Sequence, residues 1–367
     1  MDRDRGGRLS SGLTGRSCAL FLVCVTALML SVMSPPARST QSSALQRPSF
    51  AGPRNYTTAK SPESVAVGDL NGDSKPDLVT VSDADPGVVS VLLNRSAGTF
   101  RAARMYRIRA KQLGSLSVAL GDLTGDHRPD LATADSDADT VSILINRGDG
   151  SFRPSGAYLT GAAPRDVAIG DLNGDGRLDL AIANEGADSV AVLMNKGDGS
   201  FGTNVGYGTG RGSKPQSVAI ADLNGDHKPD LAIANFSDTV SVFLNRGDGS
   251  FRARRDFRAG SGPRSIAIGD LNRDSKPDLV TANHNTAFGG GGAFVDSVSV
   301  LLNEGDGSFR PKLDYRPRVE RGFGSVAIGD LNGDGKPDVA TGNDTNPGTD
   351  SVLLNKGRAG SRKGSTT

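Results

Sequence analysis

A nine-residue acidic segment recurs six times along this chain, at intervals of about 50 residues. Position one is Asp69, Asp122, Asp171, Asp222, Asp270 and Asp330 in the successive copies. Position five is Asp73, Asp126, Asp175, Asp226, Asp274 and Asp334. Position nine is Asp77, Asp130, Asp179, Asp230, Asp278 and Asp338. Asn71, Thr124, Asn173, Asn224, Asn272 and Asn332 stand at position three. A repeat of this period is one supersecondary unit that buries its apolar face on the next copy. The 367 residues are therefore not to be divided into domains by length alone.

The third repeat shows the unit. Val167-Ala168-Ile169-Gly170 precedes the acidic segment, Leu180-Ala181-Ile182-Ala183 follows it, and Val190 to Met194 comes next. A glycine-rich turn, Asn195 to Phe201, leads into a last extended stretch ending at Tyr207. These are four short alternating strands, A to D, separated by turn chemistry. Four strands in about 50 residues is the content of one propeller blade. Chain-wide, 49 glycines without a Gly-X-Y period fit a turn-rich, all-β chain and exclude collagen.

Strand D carries its own mark, an aromatic residue six positions after the turn phenylalanine. The pairs are Phe100/Tyr106, Phe152/Tyr158, Phe201/Tyr207, Phe251/Phe257 and Phe309/Tyr315. Even spacing puts both rings on one face of a strand, where packing between blades is expected. A sixth pair, Phe50/Tyr56, precedes the first acidic segment, whereas residues 356–367 hold no Phe or Tyr. The chain thus opens with an orphan strand D and ends with a blade lacking one. The expected fold is an all-β propeller of six four-stranded blades over 49–355, the N-terminal strand closing the last. Seven blades is the alternative, for which no residues remain.

The acidic segment has the donors of a calcium loop. Calcium takes six to eight oxygens from carboxylates, amide carbonyls, backbone carbonyls and water. Positions one, three, five and nine offer side chains. Position seven, filled by Lys75, Arg128, Arg177, Lys228, Lys276 and Lys336, offers its backbone carbonyl. About six calcium ions are expected on that count. An EF-hand would need Glu at position twelve, where Thr80, Thr133, Ile182, Ile233, Thr281 and Thr341 stand. Aspartates serving only as turn formers are the competing reading. The loops should be unequal, since position six must turn sharply. Gly176 and Gly335 suit it better than Ser74, His127, His227 or Ser275, so the third and sixth loops are favoured for full occupancy.

These motifs, the aspartate loop, the following Pro-Asp-Leu and the Gly-Asp-Gly-Ser-Phe turn, resemble the FG-GAP or VCBS-type repeat family. Its best-known members are the propellers of integrin alpha subunits. The resemblance spans residues 49–355. It implies calcium bound between strands A and B by the positions named above. The chain departs from integrins in blade number, and it shows no stalk domains and no membrane helix after the propeller. Integrin-type signalling is not implied. Stand-alone secreted repeat proteins, often bacterial, are more similar.

The N-terminus reads as a leader. Arg3, Arg5, Arg8 and Arg16 precede an apolar run from Cys18 to Val32, and Ala37 and Ser39 place cleavage after residue 39. The run is short for a membrane span, so secretion is expected, with an uncleaved anchor as the alternative. Residues 40–48 read as a linker and 356–367 as a disordered basic tail. Both cysteines, Cys18 and Cys24, lie in the leader, so the cleaved chain would hold no disulfide and calcium becomes the expected staple. It would carry 37 basic and 39 acidic residues, a balance that argues against nucleic acid. A monomer is expected.

In an up-and-down blade the A–B and C–D turns share one face. A protein or carbohydrate ligand is therefore expected on the other, which carries the B–C and D–A connections. There, Asp278 to Asn303 is the longest connection, with an insertion around His284 to Phe294. Arg147-Gly148-Asp149 and Arg246-Gly247-Asp248 spell an adhesion tripeptide but occupy turns that need Gly and Asp on their own account. No nucleophile elbow, phosphate loop or zinc signature occurs. A non-catalytic binding or adhesion module is expected. A carbohydrate-active enzyme with axial carboxylates, drawn from residues around Asp296 or Glu320, is the alternative.

Overall fold

A computed structural model describes residues 54–83, 87–96, 98–108, 115–284, 296–317, 323–343 and 349–357. The leader, the linker, Phe50, Glu320, the core of the insertion after His284 and the tail beyond residue 357 lie outside the described residues.

The described chain is an all-β, six-bladed propeller of antiparallel sheets. Blade 1 has strands A (Pro62–Gly68), B (Asp77–Ser82), C (Val88–Leu92) and D (Arg104–Arg107). Blade 2 has Ser115–Gly121, Asp130–Asp135, Thr140–Asn146 and Phe152–Leu159. Blade 3 has Pro164–Gly170, Asp179–Asn184, Ser189–Leu193 and Val205–Gly208, and blade 4 has Pro215–Ala221, Asp230–Asn235, Thr239–Phe243 and Arg255–Arg258. Blade 5 has Pro263–Gly269, Asp278–Asn283, Ser297–Leu301 and Leu313–Tyr315. In blade 6 the described strands are A (Phe323–Gly329), B (Asp338–Asn343) and C (Thr349–Leu353). Residues 54–60 carry no strand, although Tyr56 stands on blade 1 as described below. The one helical turn among the described residues is the 3-10 segment Ser136–Ala138.

Burial follows the layering. Strand B of blades 2 to 5 is buried at all six of its residues, because sheets cover it on both faces. The alternation of Leu180-Ala181-Ile182-Ala183 is thus one of size within a buried strand, not of inside and outside. Strand A tolerates only a small residue at its end, where the next blade arrives. A Cβ on Gly121 would lie 2.9 Å from an Ile169 methyl group and one on Gly170 3.2 Å from Ile220. Ala119 and Ala168 keep the same strands thin.

The aromatic residues do pack between blades, and the partner is in the neighbouring repeat. Tyr56 meets Phe100, Tyr106 meets Phe152, Tyr158 meets Phe201, Tyr207 meets Phe251 and Phe257 meets Phe309. All five pairs are edge-to-face, with ring centroids 5.1 to 5.8 Å apart. Phe251 is buried, while Tyr315 is 46% exposed; Phe50, the phenylalanine expected opposite it, lies outside the described residues. Phe251→Ala should therefore cost about 3–5 kcal/mol in urea unfolding, against less than about 1 kcal/mol for Tyr315→Ala.

Candidate metal centre

Each acidic loop is wound around its first aspartate. In loop 1, Asp69 accepts the backbone N–H groups of Gly72 at 2.8 Å, Asp73 at 3.2 Å and Ser74 at 2.7 Å. Asp122, Asp171, Asp222 and Asp330 do the same with the amides at positions four, five and six. Asn71, Asn173, Asn224 and Asn332 each accept the amide of position five at 2.8 to 3.0 Å. Position six takes a left-handed backbone in every copy, from φ 61° at Ser74 to 81° at Gly176. The sharp turn expected there is thus present even where Ser or His must adopt it.

Two loops depart from the pattern. Thr124 turns its hydroxyl toward Asp130, 3.4 Å away, instead of accepting from position five. In loop 5, Arg273 replaces the position-four glycine, adopts φ 61° and reaches across to the carbonyl of Gly335 in loop 6. The buried Oδ1 of Asn272 has no hydrogen-bond partner there.

Position five is held from position seven. Asp73, Asp126, Asp175, Asp226, Asp274 and Asp334 accept the backbone N–H of Lys75, Arg128, Arg177, Lys228, Lys276 and Lys336 at 2.9 to 3.1 Å. The long basic side chains add a second contact. Lys75 and Lys336 pair with Asp73 and Asp334 at 3.1 and 2.9 Å, and Arg177 pairs with Asp175. Hydrogen bonding from those lysines holds the Asp73 and Asp334 carboxyls below their ordinary range. Lys228 and Lys276 donate to the carbonyls of Arg246 and Glu304 in the C–D turn, at 3.1 and 2.7 Å, with Lys228 Nζ still 3.9 Å from Asp226. Sequence reasoning valued position seven only for its carbonyl, although a basic residue in all six copies was there to be seen.

Position nine is different in kind. Asp77, Asp130, Asp179, Asp230, Asp278 and Asp338 are fully buried. One oxygen of each accepts the amide of the position-two leucine at 2.9 to 3.0 Å. The other accepts the amide of the asparagine that ends strand C at 2.7 to 2.9 Å. Desolvation pushes the carboxyls of Asp130, Asp179, Asp230 and Asp278 up to about 6, and the nearby aspartates at positions five and one push the same way.

That strand-C asparagine is a second recurrent residue which sequence reading treated as part of a turn. Its Nδ2 donates to the position-two carbonyl of the preceding blade: Asn146 to Leu70, Asn195 to Leu123, Asn245 to Leu172, Asn303 to Leu223 and Asn355 to Leu271, at 2.8 to 3.0 Å. The acidic-loop face is therefore stitched from blade to blade by one repeated bond. The two Arg-Gly-Asp tripeptides are part of this face as turn formers. The carboxylates of Asp149 and Asp248 accept the amides of Ser151 and Ser250 at 2.9 Å, and Gly148 and Gly247 take φ of 87° and 94°.

The opposite face has an aspartate of its own that was not anticipated. Asp139, Asp188 and Asp238, in the B–C turns of blades 2 to 4, accept the amides of Ala163, Lys214 and Gly262 in the next D–A connections at 2.8 to 2.9 Å. Each takes a left-handed backbone. The Asp-Thr or Asp-Ser before strand C was the available signal. Blades 1 and 6 have Gly87 and Gly348 at that place, and blade 5 has the buried Asp296, whose Oδ1 lies 3.8 Å from His284 Nδ1.

At the inner strands a single carboxylate interrupts a series of hydroxyls. Asp166 stands where the other blades have Ser64, Ser117, Ser217, Ser265 and Ser325. It accepts from Ser117 Oγ at 2.6 Å, Ser217 Oγ at 2.8 Å and the amides of Val167 and Val218 at 2.9 Å. Burial raises its carboxyl pKa. Four donors from three blades mark it as a stitch between inner strands.

Whether the acidic loops suit a metal can be tested on their donors. They offer hard oxygens only, and the fully buried position-nine carboxylate has two like charges beside it, which a cation would offset. The set fits calcium in kind. Among the described residues, no three carboxylate, imidazole or thiol groups stand close enough to chelate an ion as the loops are arranged.

The propeller of repeated acidic A–B loops defines the class, and comparison defines the family. Models of the FG-GAP-like repeat match residues 69–133, 122–182, 171–233, 222–281 and 287–341, and the FG-GAP repeat matches 323–361. The chain belongs to the FG-GAP repeat family. A search of curated proteins finds no match. Among solved structures, an Agrocybe aegerita lectin described as recognising non-reducing terminal N-acetylglucosamine is similar in fold. It has a TM-score of 0.52 and 22% identity over 81% of each chain. The Photorhabdus luminescens Tc holotoxin pore aligns over 76% of this chain and 13% of its own, at 19% identity and a TM-score of 0.38. That value is too low to carry argument.

Four position-nine carboxyls determine a pH response. For Asp130, Asp179, Asp230 and Asp278 the folded pKa of about 6 lies above the ordinary value near 3.9. The stability they contribute is complete below about pH 4 and is lost as pH rises through about 6. In metal-free buffer the urea midpoint should fall between pH 5 and pH 7. A flat or rising midpoint would contradict the assignment.

Proposed function

We propose that this protein is a secreted, calcium-stabilised binding module without catalytic activity, presenting a protein or carbohydrate ligand site on the face opposite the acidic loops. The observation that carries this reading is the contrast between the two faces. The acidic-loop face repeats the same clamp and the same asparagine bond from blade to blade, which suits a scaffold. The other face changes from blade to blade. It has aspartates in three B–C turns, glycines in two and an insertion in one, with the half-buried ion pair of Arg165 and Glu185 in blade 3. Differentiated loops on a rigid frame are what recognition requires. The lectin of the same fold supports carbohydrate as one ligand class. The aromatic pairs are committed to packing between blades, so a sugar would be held by the loops rather than stacked on those rings.

In each loop, calcium would be held by the side chains at positions one, three, five and nine and by the carbonyl of position seven. It would supply positive charge beside the buried position-nine carboxylate. The chain's own residues already wind each loop into a turn, and the ion would oppose its unwinding. FG-GAP repeats are typical of extracellular proteins, which supports secretion.

The alternative is a carbohydrate-active enzyme. It has little to draw on at the inner strands, where Asp166 is saturated by four donors. Hydrolysis or eliminative cleavage across a polysaccharide panel would establish that alternative. Binding to a glycan or extracellular-protein array without turnover supports the module.

Calcium makes the sharper prediction. Saturating a site at about 100 times its Kd stabilises the fold by about 2.7 kcal/mol. Several loops should therefore raise the thermal midpoint strongly in calcium and lower it on chelation, with about six ions bound per chain. Substituting Asp175→Ala should remove one ion and part of the shift. No bound calcium and no shift on chelation would leave the aspartates as turn formers.

A further inference from the structure

The face opposite the acidic loops is built on a repeated pair of positions. Every strand A opens with a bulge, which leaves one residue without a partner on strand B. Those residues are Glu63, Leu116, Arg165, Gln216, Arg264 and Gly324. The second position is the residue that follows strand B. It is Asp83, Glu185, Phe236 and His284 in blades 1, 3, 4 and 5, and its amide donates to the D–A connection at 2.9 to 3.0 Å. In blade 3 the two side chains meet, because Arg165 Nε donates to Glu185 Oε2 at 2.5 Å. The backbone frame thus repeats while the two side chains on it change from blade to blade.

Blades 4 and 5 fill this frame with an aromatic ring and an unspent cation. Phe236 is half-buried and sits against the connection that enters blade 5. A Cβ on Gly262 of that connection would stand 3.3 Å from Phe236 Cε2 and 2.3 Å from the His284 carbonyl oxygen. Gly262 holds φ of 63°, which favours glycine, and so puts no side chain over the ring. Arg264 follows two residues later, on the bulge. In blade 3 the bulge arginine is neutralised within its own blade by Glu185. In blade 5 the corresponding neighbour is His284, whose Nδ1 lies 3.8 Å from Oδ1 of the buried Asp296. Asp238 Oδ1 accepts the Gly262 amide at 2.8 Å. Among the described residues Arg264 is exposed and enters no ion pair.

We propose that Phe236 and Arg264 form a subsite for a hexuronic acid residue of a polysaccharide. The subsite depends on this face being the ligand face, as proposed above. In a hexuronate the carboxylate projects from the edge of the pyranose, so the C–H face of the sugar is left flat. That face lies on the phenyl ring, with its C–H groups against the negative π surface. The guanidinium takes the carboxylate as a two-pronged fork. Gln216, on the blade 4 bulge, offers Oε1 to a sugar hydroxyl, its Nε2 being bound to the Lys214 carbonyl at 3.1 Å. An acidic peptide is served less well. Adding a strand needs open main-chain groups, and the Gly262 amide, the Gly262 carbonyl and the Lys214 carbonyl are already taken. A neutral sugar would leave the Arg264 charge without a counterpart.

The test is isothermal titration of the full chain in calcium buffer. The probes are oligomers of galacturonate, mannuronate, guluronate and glucuronate, each beside its methyl ester. At least one acid should bind at least about tenfold more tightly than its ester. Arg264→Gln should weaken that acid at least about tenfold and leave the ester unchanged. Phe236→Leu keeps an apolar contact on Gly262 and removes the flat ring. It should weaken the acid at least about threefold. Arg153→Gln, which removes the same charge from strand D of blade 2, should change neither. If neutral glycans or extracellular proteins bind and no acid does, the subsite is overturned and the binding module stands. Equal affinity for acid and ester, or full affinity in the Arg264→Gln variant, also overturns the subsite alone. A chain that binds nothing on glycan and protein arrays overturns both.

Discussion

A buried carboxylate that accepts two backbone amides is the interaction on which the architecture depends. The position-nine aspartate begins strand B, and its oxygens reach the start of its own loop and the end of strand C. Taking an ionised carboxylate out of water costs several kcal/mol unless charge-assisted hydrogen bonds replace the solvent. Two short amide bonds offset part of that cost here, and the remainder shows in the raised pKa of Asp130, Asp179, Asp230 and Asp278. They also point the position-two leucine inward, where Leu70, Leu123, Leu172 and Leu223 are buried. The carbonyl of that leucine then faces the neighbouring asparagine. One polar residue thus sets the loop, the sheet and the contact with the next sheet.

The fold was legible because its signals are local. Alternating short strands and a repeated loop survive in any window of the chain, and the left-handed turn at position six was readable from its two glycines. The stitching was not legible, because its partners are far apart. Asn195 and Leu123 are 72 residues apart and Asn355 and Leu271 are 84, so neither bond leaves a short-range pattern. The aromatic pairs show the same limit. The spacing of Phe201 and Tyr207 suggests one surface, and the actual partners, Tyr158 and Phe251, belong to the repeats before and after. The basic residue at position seven and the aspartates of the B–C turns were visible as recurrences. Their roles needed the geometry, since a carboxylate in a turn and a lysine on a surface have many ordinary explanations.

The two faces divide the work. Uniformity on the acidic-loop face is a requirement of repetition, because every blade must satisfy its neighbour with the same groups. The opposite face meets that requirement through fewer positions, the left-handed aspartates of blades 2 to 4, and leaves the remainder of each loop to vary. Residues there can then differ in one blade without disturbing the next.

The asparagine bond has a direction. The donor always lies in the later blade and the acceptor in the earlier one, so a blade is locked only when its successor has formed. A chain cut after any of blades 1 to 5 would therefore leave the position-two carbonyl of its last acidic loop without this bond.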